Sequence, residues 1–153
     1  MTAITPKQTV LLVEDSDEDF ETTKRSFIRA GFVNPLHRCC DGDEALDYVF
    51  RRGLYADPDA APRPGIVMLD LNMPGTDGRD VLKAMKADTL LKKIPVIVLT
   101  TSSDERDIDE CYKQGANSYI VKPVDLDGFM KAIQRLQDYW FEVVVFPKPK
   151  NGE

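Results

Sequence analysis

Three aliphatic runs constrain this chain more than any other feature: TVLLV at 9 to 13, GIVML at 65 to 69 and IPVIVL at 94 to 99. A strand with one wet face alternates apolar and polar side chains. These runs are near-continuous, as expected of parallel strands covered on both faces. PLHRCC (35 to 40) and NSYIV (117 to 121) also read as strands. Amphipathic stretches separate them. Phe20, Phe27 and Ala30 share a face, with Gly31 as a stop; Ala45, Leu46, Val49 and Phe50 share another, with Gly53 as a stop. Val81, Leu82 and Met85 follow an Asp77-Gly78 turn, and Ile108, Cys111 and Tyr112 form a face closed by Gly115. Leu126, Phe129, Met130, Ile133 and Trp140 mark a last helix, with Asp125 as its N-cap. Five βα units in sequence imply an α/β doubly wound sandwich: a central five-stranded parallel sheet, helices on both faces and right-handed crossovers.

Two segments break the rhythm. RRGLYADPDAAPRPG (51 to 65) is a long, Pro-rich connection, and residues 141 to 153 form a tail or arm beyond a domain spanning 1 to 140. The tail opens with an apolar, β-prone run, Val143 to Phe146, which reads as a contact surface. A chain of 153 residues buries enough surface to fold without metal or disulfide. Cys39, Cys40 and Cys111 lack metal-site spacing and read as reduced, structural thiols. A net charge of -6 argues against a general nucleic-acid or anionic-membrane binder. Without a signal-peptide pattern at the N-terminus or a membrane-length apolar run, the expected location is cytoplasmic.

In a doubly wound sheet, ligands bind beyond the carboxyl ends of the strands. The first strand ends in Glu14-Asp15, the third in Asp70, the fourth in Thr100-Thr101-Ser102 and the fifth in Lys122-Pro123. Two carboxylates about 4 Å apart repel by roughly 4 kcal/mol at an effective dielectric of 20. Three together call for protonation or a bridging cation. Mg²⁺ suits them, because it takes a few protein oxygens and leaves positions for phosphate oxygens. Glu14 and Asp15 therefore read as a metal seat, with Asp70 as third ligand. A carboxylate such as Asp70 is also a nucleophile for phosphorus. Phosphoryl transfer needs positioning and charge neutralisation, which the cation, the Lys122 ammonium and the Thr100 hydroxyl are suited to supply.

With ED at 14 and 15, DLNMPGTDG at 70 to 78, TTS at 100 to 102 and YIVKP at 119 to 123, the chain resembles the receiver domains of two-component response regulators over roughly residues 8 to 138. The resemblance implies a flavodoxin-like sheet of order 2-1-3-4-5. It implies that Asp70 is phosphorylated by a sensor histidine kinase, and that Glu14, Asp15, Asp70 and the backbone carbonyl of Asn72 hold Mg²⁺. It further implies that Thr100 swings toward the phosphoryl oxygens, that Tyr119 follows it, and that Lys122 forms a salt bridge there through a cis Lys122-Pro123 bond. Phosphorylation would then bias the face made by the fourth helix, fifth strand and fifth helix. The long connection, the Trp140-Phe141 pair and the tail are similar to the stand-alone regulators of bacterial phytochrome kinases. That similarity implies a homodimer through the same face and the arm.

Plainer roles stand beside these. Asp17, Glu18 and Asp19 suit the positive end of a helix dipole, although Asp17 is also within reach of a metal water; Asp77 suits a helix cap. His37 reads as a surface residue, and Tyr119, apart from the motif, as a core aromatic. Among rivals, a haloacid-dehalogenase-type phosphatase wants DxD, and here Asn72 fills the second acid's place. A flavin carrier wants a Ser/Thr/Gly-rich phosphate loop where this chain has EDSDED. A binding-only pseudo-receiver would not be expected to keep the full set of Glu14, Asp15, Asp70, Thr100 and Lys122. The expected role is a signalling switch, not an enzyme with an external substrate.

Overall fold

The computed structural model describes residues 8–141 and 144–147. Five strands, β1 (Thr9–Val13), β2 (Leu36–Cys39), β3 (Pro64–Leu69), β4 (Val96–Thr100) and β5 (Ser118–Val121), form one sheet in the order β2-β1-β3-β4-β5. Every pairing is parallel. Five helices alternate with them: α1 (Asp17–Arg29), α2 (Gly42–Phe50), α3 (Gly78–Ala87), α4 (Glu105–Lys113) and α5 (Leu126–Leu136). The doubly wound sandwich and its 2-1-3-4-5 order are as expected.

The parity of the strands explains the near-continuous aliphatic runs. Leu11, Val13, Val67, Leu69, Val96 and Val98 point into the layer that holds α2 and α3. Val10, Leu12, Ile66, Met68, Ile97 and Leu99 point the other way, against Phe27, Phe129 and Ile133 of α1 and α5. Each buried side chain contributes roughly 1.5–3 kcal/mol of transfer free energy, so both layers hold the sheet. Each helix starts on a side-chain cap: Ser16, Asp41, Asp77, Asp104 and Asp125 accept from backbone N–H groups of their first turns. Asp77 and Asp80 form a full capping box. The caps fix where each helix leaves the sheet edge.

Several boundaries differ from the sequence reading. β4 starts at Val96, because Leu91–Lys93 forms a 3₁₀ turn that closes on the Ile94 N–H. The stop after α2 is Arg51, which takes a left-handed conformation at φ 53°, and Gly53 instead opens a 3₁₀ turn ending at Tyr55. His37 is half-buried, not a surface residue. Its ring lies 4.8 Å from that of Tyr48, and its Nε2 is 3.0 Å from the Tyr55 hydroxyl. The connection before β3 covers this edge of the sheet through Tyr55, a contact that no periodicity in the segment foretells.

The tail folds back. After α5 the chain continues as a π-helical turn, Gln137–Phe141, and Phe141 packs edge-on against Phe27 and Phe32. Phe146 stacks edge-on against Phe141, and the Gln8 amide donates to the Pro147 carbonyl. Residues 144–147 form no strand, and Val143 lies outside the described residues. Among the described residues, no helix is long and apolar enough to cross a membrane.

Candidate functional site at the carboxyl edge of the sheet

Backbone hydrogen bonds carry the ladder one residue past the strand ends. The Glu14 N–H donates to Cys39, the Asp70 N–H to Val13, and the Lys122 N–H to Thr100. The acids and the lysine are therefore fixed by the sheet itself. Glu14, Asp70, Thr100 and Lys122 are all buried, whereas Asp15 and Asn72 are exposed. Glu14, Asp15 and Asp70 each offer a carboxylate oxygen, all within 4.8 Å of one another.

The Lys122 ammonium ties this edge together. Its Nζ lies 2.5 Å from Glu14 Oε1, 2.8 Å from Asp19 Oδ2 and 3.1 Å from Asp70 Oδ2. Three N–H donors meet three carboxylates, which saturates the ammonium. Burial opposes the charge on Lys122, but the hydrogen bonds to Asp19 and Glu14 and the charges of Glu14 and Asp70 outweigh it and raise its pKa. Burial dominates at Glu14, whose carboxyl is pushed up to about 7 against the pull of Lys122. With Asp15, four carboxylates face one ammonium, an excess of negative charge that suits a hard divalent cation. The Lys122-Pro123 bond was expected to be cis, but there is no cis bond among the described residues. The trans form is the cheaper isomer, and from it Lys122 already reaches all three acids.

Around the acids, the Ser16 N–H donates to Glu14 Oε2 and the Asn72 N–H to Asp70 Oδ1. Thr100 Oγ1 is buried and has no hydrogen-bond partner among the described residues. A buried hydroxyl left unpaired costs on the order of 1–3 kcal/mol. Tyr119 is half-buried, and its hydroxyl donates to the Ser102 carbonyl in the loop after β4. Ser102 donates to Asp107 of α4, which pairs with Arg79 of α3 at 2.7 Å. A continuous polar chain thus joins Tyr119, the loop, α4 and α3.

Asp19 is the residue that sequence reasoning missed. It was assigned to the helix dipole, yet it holds Lys122. The available signal was its place in the first turn after the Ser16 cap, which folds that turn over the end of β1. Gly78 is a second constraint. A Cβ there would lie 2.0 Å from the Asp70 carbonyl oxygen, and its N–H donates to Leu71. Gly78→Ala should cost about 1–3 kcal/mol by overpacking and displace the Asp70 backbone. A urea midpoint equal to that of the native chain would contradict this.

Residues 10–134 match the response regulator receiver domain family. The chain is 36% identical to the response regulator Rcp1 of Synechocystis over 142 residues, covering 93% of this chain and 95% of that protein. The crystal structure of Mn²⁺-bound Rcp1 matches with a TM-score of 0.86 at 35% identity, over 92% of this chain and 99% of that one. The phosphorylated cyanobacterial phytochrome response regulator RcpA matches at 0.87 and 34%, over 93% of this chain and 99% of that one. RPA3017, a response regulator in red light signalling of R. palustris, matches at 0.85 and 38%, over 95% of this chain and 100% of that one. The family match spans most of the chain, and the sheet order agrees with that of the Rcp1 structure: this chain belongs to the response regulator receiver domains.

Proposed function

We propose that the chain is a phosphorylation-driven signalling switch in which Asp70 accepts a phosphoryl group from a phosphohistidine on a sensor histidine kinase. The unpaired, buried Thr100 hydroxyl carries this reading, since it is a donor waiting at the edge where Asp70 and Lys122 meet. In the transfer, an Asp70 carboxylate oxygen attacks phosphorus. The N–P bond breaks, its electron pair returns to the imidazole, and an acyl phosphate remains on Asp70. Glu14, Asp15, Asp70 and the Asn72 carbonyl are suited to hold Mg²⁺, which when bound supplies neutralising positive charge for the phosphoryl oxygens. Lys122 keeps its hold on Asp19 while turning an N–H from Asp70 toward a phosphoryl oxygen.

A phosphoryl group brings up to two negative charges and three acceptor oxygens. Thr100 turns toward it, and Tyr119 gives up the Ser102 carbonyl and moves into the space behind. The polar chain through Ser102, Asp107 and Arg79 passes that change to α4, so the output is a protein contact on the α4-β5-α5 face. The chain acts on itself, including slow loss of its own phosphoryl group, and on no external substrate. The likeness to RcpA, a cyanobacterial phytochrome response regulator, and to RPA3017, a regulator in red light signalling, supports a bacterial phytochrome as the kinase, and the reading places the chain in the cytoplasm.

Acetyl phosphate treatment followed by intact mass tests the reading. One added phosphoryl group per chain is expected with Mg²⁺, and none with EDTA. No gain from either acetyl phosphate or a phosphorylated sensor kinase sinks it.

The reading includes a homodimer through α4-β5-α5 and the arm at 141–153. Tyr139 and Val121 are 57% and 41% exposed on this side of the molecule. Deleting the chain from 141 onward would remove Phe141 from the Phe27-Phe32 cluster and unsettle the core. Tyr139→Asp is therefore the cleaner variant. It should lower the dimer fraction at least tenfold in sedimentation, and an unchanged dimer would refute the interface.

A further inference from the structure

A second group of metal-binding side chains sits behind β2, apart from the Asp70 site. His37 and Cys39, two apart on one strand, point to the same face of the sheet. Glu44, in the first turn of α2, meets them there. A ring nitrogen of His37, the Cys39 sulfur and a Glu44 oxygen all lie within 4.8 Å of one another. Tyr55, carried in by the 3₁₀ turn of the long connection, places its hydroxyl among them. The phenol donates to Glu44 Oε2 at 2.6 Å and lies 3.0 Å from His37 Nε2. Its single proton goes to Glu44, so toward His37 the phenol oxygen accepts from Nε2–H.

We propose that His37, Cys39 and Glu44 form a binding site for a borderline-soft divalent cation of the Zn²⁺ class, with the Tyr55 hydroxyl as a displaceable plug. The donor set is one sulfur, one imidazole nitrogen and one carboxylate oxygen, a combination that favours Zn²⁺ over Mg²⁺. Zn²⁺ bonds of about 2.0–2.3 Å put tetrahedral ligands roughly 3.3–3.8 Å apart. The three donors thus need to close by up to about 1.5 Å, around the point the phenol oxygen now fills. Their surroundings are arranged for it. Cys39 is fully buried as the inner ligand, and the Cys40 N–H fixes Glu44 through its other oxygen at 2.8 Å. Burial lowers the pKa of His37 against the charge of Glu44, which favours the neutral form that a ligand needs. His37, Glu44 and Tyr55 are each only half-buried, so solvent reaches the outer side of the group. On binding, the sulfur–metal bond forms as the thiol proton leaves to solvent, and His37 moves its remaining proton to Nδ1.

The inference does not rest on the phosphoryl-transfer reading, and its test keeps the two sites apart. The full chain is titrated with Co²⁺ in excess Mg²⁺, which occupies the Asp70 site, and a thiolate-to-Co²⁺ charge-transfer band is followed. The band should saturate at one Co²⁺ per chain and disappear when Zn²⁺ is added. It should be abolished in Cys39→Ser, and its midpoint should rise at least tenfold in His37→Gln and Glu44→Gln. Cys40→Ser and Cys111→Ser should keep it. Absence of the band in the native chain, or its survival in Cys39→Ser, overturns the proposal. Should Cys39→Ser fail to fold by circular dichroism, the contrast between His37→Gln and Cys40→Ser decides, and equal midpoints in those two overturn it.

Discussion

Asp70→Asn will abolish phosphoryl uptake and leave the fold in place. Under conditions in which the native chain gains one phosphoryl group from acetyl phosphate, the variant's intact mass should not change. The amide has nearly the shape of the carboxylate, and its oxygen can still accept from the Asn72 N–H. It lacks the anionic oxygen that must attack phosphorus, so the loss is one of chemistry. Stability should not fall with it. Asp70 is one of several acids around a single ammonium, and like charges about 4 Å apart repel by roughly 4 kcal/mol at an effective dielectric of 20. Removing one charge relieves part of that repulsion while Lys122 keeps Glu14 and Asp19. The urea midpoint should therefore match or exceed that of the native chain. Labelling that persists on another residue would show that Asp70 is not the acceptor.

What the sequence revealed and what it hid have a common physical origin. The strands were legible because both of their faces are buried, so every position of β1, β3 and β4 is buried and all but the terminal Thr9 and Thr100 are apolar. The site was legible because the sheet ends abruptly in residues that nothing apolar explains: Glu14, Asp70, Thr100 and Lys122. The order of the strands came only with the family resemblance, because periodicity says that a strand is buried and not which strand it pairs with. Contacts between segments distant in sequence stayed hidden. Asp19 meets Lys122 across 103 positions, and nothing in the helix pattern separates it from Asp17, which instead pairs with Arg38. Tyr55 lies in a segment that reads as an irregular connection, yet its hydroxyl joins His37 to Glu44. The apolar tail residues were legible as sticky but not as to their partner, and Phe141 and Phe146 fill a cluster begun by Phe27.

The largest effect on stability should come from Lys122→Met. Its side chain is 4% exposed, and it neutralises Glu14, which is 3% exposed, together with Asp70. Met fills much of the same volume but leaves those carboxylates uncompensated. Breaking a buried ion pair from one side costs about 3–5 kcal/mol. In EDTA the urea midpoint should fall accordingly, with the slope of the transition unchanged. Asp19, 40% exposed, can turn to water and adds little to this cost. A second substitution identifies the cause. Glu14→Gln removes the most deeply buried of the negative charges, so the double variant should recover most of the loss, whereas two independent defects would add. Mg²⁺ should also recover part of it in the single variant, because an ion that binds only the folded chain stabilises it by mass action. A loss below about 1 kcal/mol, or a double variant no better than the single, would mean that Lys122 is not the counter-charge of this edge. If the cycle behaves as expected, the lysine and the divalent cation share one electrostatic task. Lys122 then keeps the acids folded when no metal is bound, and is free to turn toward a phosphoryl group when one is.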